Sequence, residues 1–361
     1  MTFDPRNVTA TLTSNFSTNK GVQQNEGLTY TQIFTLVSYI AIFVLGTIGN
    51  GLVMYVTGYK MKTTVNSIWF LNLAVADFLF TFFLILSIAS VSRKYHWPFG
   101  LEMCKFNTFV SVLNMFASIF LLTAISMDRC LSTWVIVWAQ NKRTPLKARI
   151  ACLFIWVGAI ACSIPFASYR KLRTNGSITH CATNADGQVM KNLAVFRFVI
   201  GFVVPLIIII CSYVAIGVRA RRLQKYKKLR PFRVILTVIL AFFLCWLPFH
   251  IHYFCIIRSG TKMWSKEAQT IINTSGPFIV SLAYLNSCLN PILYVFMCEE
   301  FKTKLKQSLL LVLESAFTEE HLGFLTPRHS ISSRHSESHI QMKKNDTAIS
   351  LVSRLDRTSD D

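Results

Sequence analysis

Seven long apolar blocks limit what this chain can fold into more than any other feature of the sequence. Each block holds roughly 20 or more residues, enough for an α-helix to cross about 30 Å of hydrocarbon. The chain is 52% hydrophobic and only 15% charged, whereas charged residues make up about 25% of an ordinary soluble domain. The sequence therefore predicts an all-α membrane protein, a seven-transmembrane helix bundle with a short amphipathic eighth helix. The predicted spans are 31–58, 66–91, 103–134, 148–168, 193–218, 231–257 and 268–297.

The distribution of Lys and Arg among the connections predicts the orientation of the bundle. Both residues are enriched in the runs 59–62, 140–149, 219–233 and 301–306, which fall on one side. Short cytoplasmic loops carry this excess, so we expect a plasma-membrane protein with an extracellular N-terminus and a cytoplasmic C-terminus. The polar start of the chain has no signal-peptide pattern, so the first span is expected to direct insertion. Anionic lipid at the cytoplasmic leaflet accounts for the net charge of +20, and no nucleic-acid partner is predicted.

The spans occupy a predicted domain at 31–298, and three further regions surround it. Residues 1–30 form a predicted extracellular, glycosylated N-terminus. Residues 299–314 place apolar side chains on one side of a helix that would lie on the membrane surface. Residues 315–361 form a polar tail that we expect to be disordered and cytoplasmic.

The predicted glycosylation sites are Asn7, Asn15 and Asn175. Phosphate groups on the tail would add negative charge that binds arrestin. The alternative is that the tail is only a solvated spacer. The predicted phosphorylation sites are Ser330, Ser332, Ser333, Ser336 and Ser338.

Several polar side chains lie inside the apolar blocks, where contact with lipid would be costly. Asp77 is a carboxylate near the middle of the second block. Asn114 and Ser118 are four residues apart, as are Asn286 and Asn290, so each pair shares one face of its helix. We expect these faces to point inward and to build one hydrated polar cluster with Asp77.

Motifs in and beside the spans resemble those of one receptor family. They are, in order, GN at 49–50, LAVAD at 73–77, Cys104, DRC at 128–130, Trp156, Pro205 with Tyr213, CWLP at 245–248 and NPILY at 290–294. Together they resemble the rhodopsin-like (class A) G-protein-coupled receptors, from about residue 31 to residue 312. Stretches such as HWPFG and VWAQNKRT resemble the chemoattractant group of that class, which includes chemerin, formyl-peptide and anaphylatoxin receptors. The resemblance implies a receptor and not an enzyme.

The resemblance also implies a sodium site at the polar cluster. In receptors of this class the residue matching Asp77 binds an allosteric sodium ion, with help from the residues matching Asn114, Ser118, Asn286 and Asn290. A hard cation with oxygen ligands suits a buried carboxylate. The alternative is a carboxyl group held by hydrogen bonds alone. No other cofactor is expected.

Two cysteines lie at the predicted outer face of the bundle. Cys104 begins the third span and Cys181 follows the fourth, and both would face an oxidising compartment, where disulfides form and persist. A bridge between them would tie the loop after the fourth span to the third helix.

A set of activation switches is implied by the same resemblance. Asp128 is expected to restrain the neighbouring Arg129, because the start of the sixth span offers no acid for it. Release of Arg129 would let it face a G-protein helix. Prolines inside helices remove a backbone hydrogen bond and create kinks that can act as pivots. The other predicted switch residues are Tyr213, Trp246, Pro248, Pro291 and Tyr294.

Arg197 is the predicted anchor for the ligand. In an apolar cavity its guanidinium would pair with a carboxylate through two parallel hydrogen bonds; the alternative is a solvated arginine. Ser111 stands where an amine receptor would carry an acid, and Val112 and Leu193 depart from the formyl-peptide receptor pattern. We therefore predict a chemotactic peptide or lipid with an acidic end. The predicted ligand-binding residues are Arg197, Ser111, Met115, His250, Tyr253 and Tyr284.

The implied partners are a Gi-type G protein, receptor kinases and arrestin. Ile85 and Ile136 stand where the group usually has prolines, so the alternative is a scavenger or arrestin-biased receptor with little G-protein signalling. A transporter or channel would predict internal repeats. An intramembrane enzyme would need a metal set or a nucleophile paired with a base. The sequence shows neither pattern.

Overall fold

Long α-helices make up almost all of the described structure. The computed structural model describes residues 28–135, 141–222, 230–259, 264–297, 303 and 305–307. The chain divides into two units, 1–308 and 309–361, and the described residues belong to the first. The long helices are α1 (Tyr30–Tyr55, continued by a π-helical turn at Val56–Lys60), α2 (Val65–Ser92), α3 (Gly100–Trp134), α4 (Pro145–Ser168), α5 (Gly187–Phe198, then a π-helical turn at Val199–Val203, then Val204–Arg222), α6 (Arg230–Ser259) and α7 (Lys266–Met297).

These helices confirm the predicted fold class. Six of them, α1 to α6, are long and apolar enough to cross a membrane. The seventh, α7, spans 32 residues but is less apolar. Its polar side chains Asn286, Ser287 and Asn290 are buried among the other helices, so its composition is that of a helix packed inside a bundle.

Capping side chains explain where the helices begin. Thr29 and Gln32 form a reciprocal pair at the start of α1: the Thr29 amide donates to Gln32 Oε1 at 2.9 Å, and Thr29 Oγ1 accepts from the Gln32 amide. Such a capping box satisfies two backbone donors that would otherwise lack partners. At α5, Asp186 Oδ1 accepts from the amide of Val189 at 2.7 Å. This cap starts α5 at Gly187, upstream of the predicted start near residue 193.

Helix α3 lies at the centre of the bundle. In its most apolar stretch 72% of the residues are buried, against 28% for α1 and 22% for α4. The large apolar side chains on the perimeter face outward, as Phe154 on α4 and Leu244 on α6 show. Only a hydrocarbon environment accommodates so many exposed apolar side chains, because soluble monomers expose small apolar patches.

A β-hairpin closes one end of the bundle. Strands β1 (Arg170–Asn175) and β2 (Ile178–Thr183) pair antiparallel, and Gly176 has a positive φ in the turn between them. The predicted disulfide Cys104–Cys181 is present and ties β2 to the first turn of α3. Trp97 packs beside this disulfide. We call this end of the bundle the hairpin end, and the opposite end, where α3 carries Arg129, the Arg129 end.

Several predicted regions lie outside the described residues. They include the glycosylation sites Asn7 and Asn15, the loop residue Ile136 and the serine cluster of the tail. Asn175 is described and is exposed next to the hairpin turn, a position that an attached glycan could occupy. In the predicted amphipathic segment, residues 303 and 305–307 are helical. The division into regions stays a prediction.

Candidate functional site

A cavity lies between α3, α5, α6 and α7 in the half of the bundle nearer the hairpin. The cavity is small: the space not filled by atoms is about 230 Å³, and part of it is open to solvent. Most of its lining is apolar, with a few polar groups that converge on the space, which is the usual character of a ligand pocket. The lining residues are Ser111, Val112, Met115, Arg197, Trp246, Phe249 and Tyr284.

Arg197 is the charged residue of this cavity. Its side chain is only 2% exposed, and its guanidinium carbon lies 4.2 Å from the ring centroid of Phe166 and 5.6 Å from those of Phe249 and Tyr253. Aromatic faces attract a cation, most strongly where water is excluded. Three rings therefore hold this positive charge at the cavity wall.

A second buried arginine, Arg170, lies near Arg197. Arg170, the first residue of β1, is 6% exposed, and its Nη1 donates to the carbonyl of Cys181 at 3.5 Å. Its Nε has no hydrogen-bond partner within the described ranges. Burial lowers the pKa of Arg170, but a guanidinium stays protonated in proteins. Its charge lies close enough to that of Arg197 for the two to repel.

Acidic residues near the cavity are scarce. The described ranges contain five acidic residues, and four of them have other roles. The fifth, Glu267, is exposed in the first turn of α7. The cavity end of the bundle thus carries an excess of buried positive charge. The four roles are a hydrogen bond from Asn290 to Asp77, an ion pair of Glu102 with Lys105, an ion pair of Asp128 with Arg143, and the Asp186 cap of α5.

A π-helical turn lies directly beside Arg197 on α5. It spans Val199–Val203 and is followed by Pro205. Proline has no amide hydrogen, so it cannot continue the regular hydrogen-bond ladder, and single π-helical turns often occur at functional sites. Gly201 in this turn faces α3, where a Cβ atom would lie 2.9 Å from Met115 Cε and 3.2 Å from the ring of Phe116. The glycine lets α5 approach α3 closely at the cavity floor.

Below the cavity, the structure brings together most of the predicted polar cluster. Asp77 is fully buried, and its Oδ2 accepts from Asn290 Nδ2 at 2.6 Å. With the Asn114 amide turned by 180°, its nitrogen donates to Asp77 Oδ1 at 3.1 Å and its oxygen accepts from Ser287 Oγ at 2.8 Å. Amide orientation is assigned from such networks, and this orientation satisfies both groups. Ser118 Oγ lies 3.3 Å from the Asn114 amide.

The last predicted member of the cluster lies on α7, and the structure adds Asn50 on α1 and Ser287 on α7. Asn286 is buried one turn before Asn290. Asn50 donates to the carbonyl oxygens of Gly46 and Ser287 at 2.9 and 2.8 Å. Ser287 is not one of the predicted sodium ligands, yet it is central to the network, since it contacts both Asn114 and Asn50.

This oxygen-rich set fits a hard monovalent cation. Asp77 is its single carboxylate, and no lysine or arginine forms an ion pair with it in the described part of the chain. The other candidate ligands are hydroxyl oxygens and the amide oxygens of Asn114, Asn286 and Asn290. Asn114 and Asn290 donate from their amide nitrogens to Asp77 here, so they would have to rotate to offer oxygen to a cation. The same part of the chain holds no group of three or more His, Cys, Asp or Glu side chains that could bind a metal ion.

The Arg129 end shows a different pairing from the one predicted. Asp128 does not hydrogen-bond Arg129 among the contacts of the described residues. Instead, Arg143, just before α4, donates from Nε and Nη2 to the two carboxylate oxygens of Asp128, both at 2.8 Å. Arg129 donates to Asn66 Oδ1 at the start of α2. Asp128 and Arg129 thus form no hydrogen bond among the described residues, because Arg143 occupies the carboxylate, but their opposite charges are close enough to attract each other. The restraint of Arg129 by Asp128 stays a prediction.

The structure places the predicted switch residues as follows. Trp246 lines the cavity itself and packs against Phe249, with ring centroids 5.5 Å apart. Pro248 lies inside α6 and Pro291 inside α7. The Tyr213 hydroxyl is buried without a hydrogen-bond partner in the described ranges. Tyr294 is on α7, and its side chain lies outside the described residues.

Four of the six predicted ligand-binding residues line the cavity, namely Arg197, Ser111, Met115 and Tyr284. Ser111 Oγ lies 3.5 Å from Tyr284 Oη. Tyr253 is not part of the lining but contacts the guanidinium of Arg197 with its ring. His250 packs among aromatic rings, 5.1 Å from Phe202 and 5.5 Å from Phe198, so it supports the cavity wall.

Comparison with known proteins defines the class of this chain. Residues 49–294 match the family described as 7 transmembrane receptor (rhodopsin family). The match covers well over half of the chain, so the chain belongs to this family of multi-pass membrane receptors, which are not enzymes.

Curated relatives place it within the chemoattractant group of that family. The C3a anaphylatoxin chemotactic receptor of Danio rerio is 42% identical over 308 residues, which cover 83% of each chain. The human (Homo sapiens) chemerin-like receptor 1 is 40% identical over 318 residues, covering 83% of this chain and 84% of the relative. The N-formyl peptide receptor 3 of Pan troglodytes is 36% identical over 323 residues, covering 84% and 90%. The predicted resemblance is confirmed.

Proposed function

We propose that this protein is a plasma-membrane receptor whose hairpin end is extracellular and whose cavity binds a chemotactic peptide or lipid mediator with an acidic end. Arg197 is the anchor, and it would hold the carboxylate through two parallel hydrogen bonds. The observation that carries this proposal is a guanidinium that is 2% exposed and lines a small, mostly apolar cavity between α3, α5, α6 and α7.

The chemistry of the cavity supports an acidic group on the ligand. A carboxylate would neutralise the charge of Arg197 and bring the buried Arg170 a partner of opposite sign. Charge-assisted hydrogen bonds to a planar guanidinium are stronger and more directional than neutral ones. Tyr284 and Ser111 at the wall supply hydroxyl groups that can orient the same carboxylate.

The apolar part of the cavity supports contact with a side chain or an acyl group next to the acid. Met115, Phe249 and Trp246 line this part. Trp246 lies on α6, only two residues before Pro248. A ligand group that displaces the indole would act directly on the segment of α6 in which a pivot is expected.

We also propose that a sodium ion binds at Asp77 and favours the conformation without ligand. Its ligands would come from the predicted residues Asn114, Ser118, Asn286 and Asn290, joined by Ser287. The proposal is supported by a fully buried carboxylate that forms no ion pair among the described residues and has hydroxyl and amide side chains around it. Asn290 and Asn114 direct amide nitrogens at Asp77 in this structure, so these two amides would turn their oxygens toward the ion on binding. An ion there would offset the cost of burying the negative charge.

On the cytoplasmic side, we propose coupling to Gi-type G proteins and desensitisation by receptor kinases and arrestin. The relatives named above are chemotactic and chemerin-like receptors, which supports a signalling role of the same kind. The alternative is a scavenger or arrestin-biased receptor that binds ligand with little G-protein signalling.

One experiment tests the ligand proposal and the signalling proposal together. Cells expressing the wild type, Arg197→Ala or Lys171→Ala would be screened with chemotactic peptides that end in a free carboxylate and with their C-terminally amidated forms. Lys171 is an exposed hairpin residue and serves as the control for loss of a positive charge. Inhibition of cAMP formation, with and without pertussis toxin, and arrestin recruitment would be recorded in parallel.

The expected result is a response to a free-acid peptide that is lost on amidation and lost in Arg197→Ala, but kept in Lys171→Ala. A response that survives in Arg197→Ala would contradict the anchor role. Arrestin recruitment without any toxin-sensitive cAMP inhibition would favour the scavenger alternative over Gi coupling.

A further inference from the structure

The Arg129 end contains a hydrogen-bond network that connects three elements of the bundle. Arg143 donates to both carboxylate oxygens of Asp128 at 2.8 Å and, through Nη2, to Asn66 Oδ1 at 2.6 Å. Arg129 donates to the same Asn66 oxygen. The amide oxygen of Asn66 is therefore shared by two guanidinium groups, one from α3 and one from the segment before α4.

In this geometry Asp128 directs its hydrogen bonds to Arg143 and acts on Arg129 only through its charge. Both carboxylate oxygens of Asp128 accept hydrogen bonds from the planar fork of Arg143, and the Asp128 side chain is only 10% exposed. Bidentate pairs of this kind are strong and fix the orientation of both partners. The Arg129 guanidinium is directed instead across the helix boundary toward α2, where it meets Asn66.

Other candidate partners for Arg129 are few. The segment that leads into α6, KYKKLRPFR at 225–233, contains no acid. Of the five acidic residues in the described ranges, Asp128 is at the Arg129 end and is paired with Arg143. The Arg129 Nε has no hydrogen-bond partner in the part of the chain that the structure describes. Among the described residues, the amide of Asn66 is thus the hydrogen-bond acceptor of the Arg129 guanidinium, while Asp128 attracts it through charge alone.

We propose that Asn66 restrains Arg129 in the resting receptor, and that Arg143 is a positioning residue that keeps Asp128 and the Asn66 amide in place. Release requires the Arg129 guanidinium to leave a neutral amide oxygen, which costs less than leaving a carboxylate. The restraint is therefore weak enough to be broken by a modest displacement of α2, or of the connection that carries Arg143. This inference uses the proposed signalling function only for one of its two tests.

The first test measures G-protein activation without ligand. Purified full-length receptor in lipid nanodiscs would be mixed with Gi heterotrimer, and nucleotide exchange would be compared for the wild type, Asn66→Ala, Asn66→Asp, Asp128→Asn and the control Thr63→Ala. Thr63 is exposed three residues before Asn66. Asn66→Ala should raise basal exchange on the order of tenfold, the factor expected for loss of one hydrogen bond to a charged group.

The conservative variant distinguishes a restraint from a merely structural residue. Asn66→Asp supplies a carboxylate to both guanidinium groups, so its basal exchange should fall below that of the wild type, while Thr63→Ala should match the wild type. Asp128→Asn should raise exchange by less than Asn66→Ala, because Arg129 keeps its partner. A larger rise in Asp128→Asn than in Asn66→Ala, or no change in Asn66→Ala, would overturn the proposal.

The second test needs no G protein. An environment-sensitive fluorescent amino acid at position 236, which is 38% exposed on α6, would report movement of this helix in the same variants. Its emission should change in Asn66→Ala and stay at the wild-type value in Asn66→Asp and Thr63→Ala. If no variant activates Gi but the fluorescence emission changes in this pattern, the proposal of Gi coupling fails and the proposal that Asn66 restrains Arg129 is supported. If Asn66→Ala leaves the emission unchanged, the restraint fails whatever the G-protein result.

Discussion

Both ends of this bundle bury arginine side chains, but they stabilise the charge in different ways. At the hairpin end, Arg197 rests against the rings of Phe166, Phe249 and Tyr253. At the Arg129 end, Arg143 pairs with both oxygens of Asp128, and Arg129 with the amide of Asn66. Aromatic faces and a neutral amide lower the cost of burying a cation without neutralising it, whereas the carboxylate of Asp128 neutralises the charge of Arg143.

The difference indicates which end is built to accept a charged partner. Aromatic rings contact the face of a guanidinium, whereas a carboxylate approaches its edge, where two parallel hydrogen bonds can form. A positive charge that already has an internal acceptor must first be released. The hairpin end is thus suited to binding, and the Arg129 end to switching. The four predictions below test this contrast, beginning with the largest expected effect.

The largest effect should follow from removing the cation at the hairpin end. Arg197→Ala should weaken binding of a free-acid peptide by about 100-fold, since truncating one partner of a buried charge pair costs roughly 2–5 kcal/mol. Binding of the amidated peptide should change by only a few-fold. Competition binding on membranes measures both values. Equal losses for the two peptides would show that Arg197 does not recognise the carboxylate.

Removing the second buried arginine should have a smaller effect on the same peptide. Arg170→Ala should reduce affinity by about tenfold, because Arg170 contributes charge but makes its own hydrogen bond to the Cys181 carbonyl. Lys171→Ala, an exposed neighbour, is the matched control and should change affinity little. If the two variants behave alike, Arg170 acts only as part of a diffuse surface charge.

At the Arg129 end, the Arg143–Asp128 pair should show energetic coupling of about 1 kcal/mol, because both side chains are mostly buried yet partly screened by solvent. Arg143→Gln, Asp128→Asn and the double variant would be compared by thermal unfolding in detergent. The exposed pair of Glu102 and Lys105 is the control and should show coupling close to zero. Additive effects of Arg143→Gln and Asp128→Asn would mean that the pair does not form in solution.

The smallest effect is expected at the polar cluster between the two ends. In the wild type, replacing potassium with sodium should lower agonist affinity by about three-fold, through preferential binding of sodium to one conformation. Asp77→Asn should abolish this dependence, because it removes the single carboxylate of the cluster. Radioligand binding in the two salts at equal ionic strength measures it. Unchanged sodium sensitivity in Asp77→Asn would contradict the site.

Much of the fold could be predicted from the sequence because a bilayer leaves few alternatives. Backbone groups in hydrocarbon must satisfy their own hydrogen bonds, so long apolar blocks become helices. The observed helix bounds differ from the predicted ones mainly at the start of α5, because the Asp186 cap lies upstream of the apolar block. The disulfide was predictable from the two cysteines at one face.

The sites were predictable only where a residue type is anomalous for its surroundings. Asp77 and Arg197 are charges in apolar blocks, so the sequence identified them. Arg143 lies in a basic loop that the positive-inside pattern already explains, and Asn66 is a polar residue at a helix start. Their meeting depends on how α2, α3 and the segment before α4 pack, which no spacing in the sequence encodes. Phe166 and Phe249 likewise look like ordinary core residues until Arg197 is seen against them.

The π-helical turn at Val199–Val203 determines which way the preceding part of α5, including Arg197, is rotated about the helix axis. A π-helical turn holds one residue more than a regular turn. If the same residues tightened into α-helix, everything toward the hairpin would rotate by about 100° relative to the rest. Arg197 would then swing from the cavity wall toward a neighbouring helix or the acyl chains, at a cost of several kcal/mol. The buried charge of Arg197, the proposed ligand anchor, therefore also opposes any rewinding of α5.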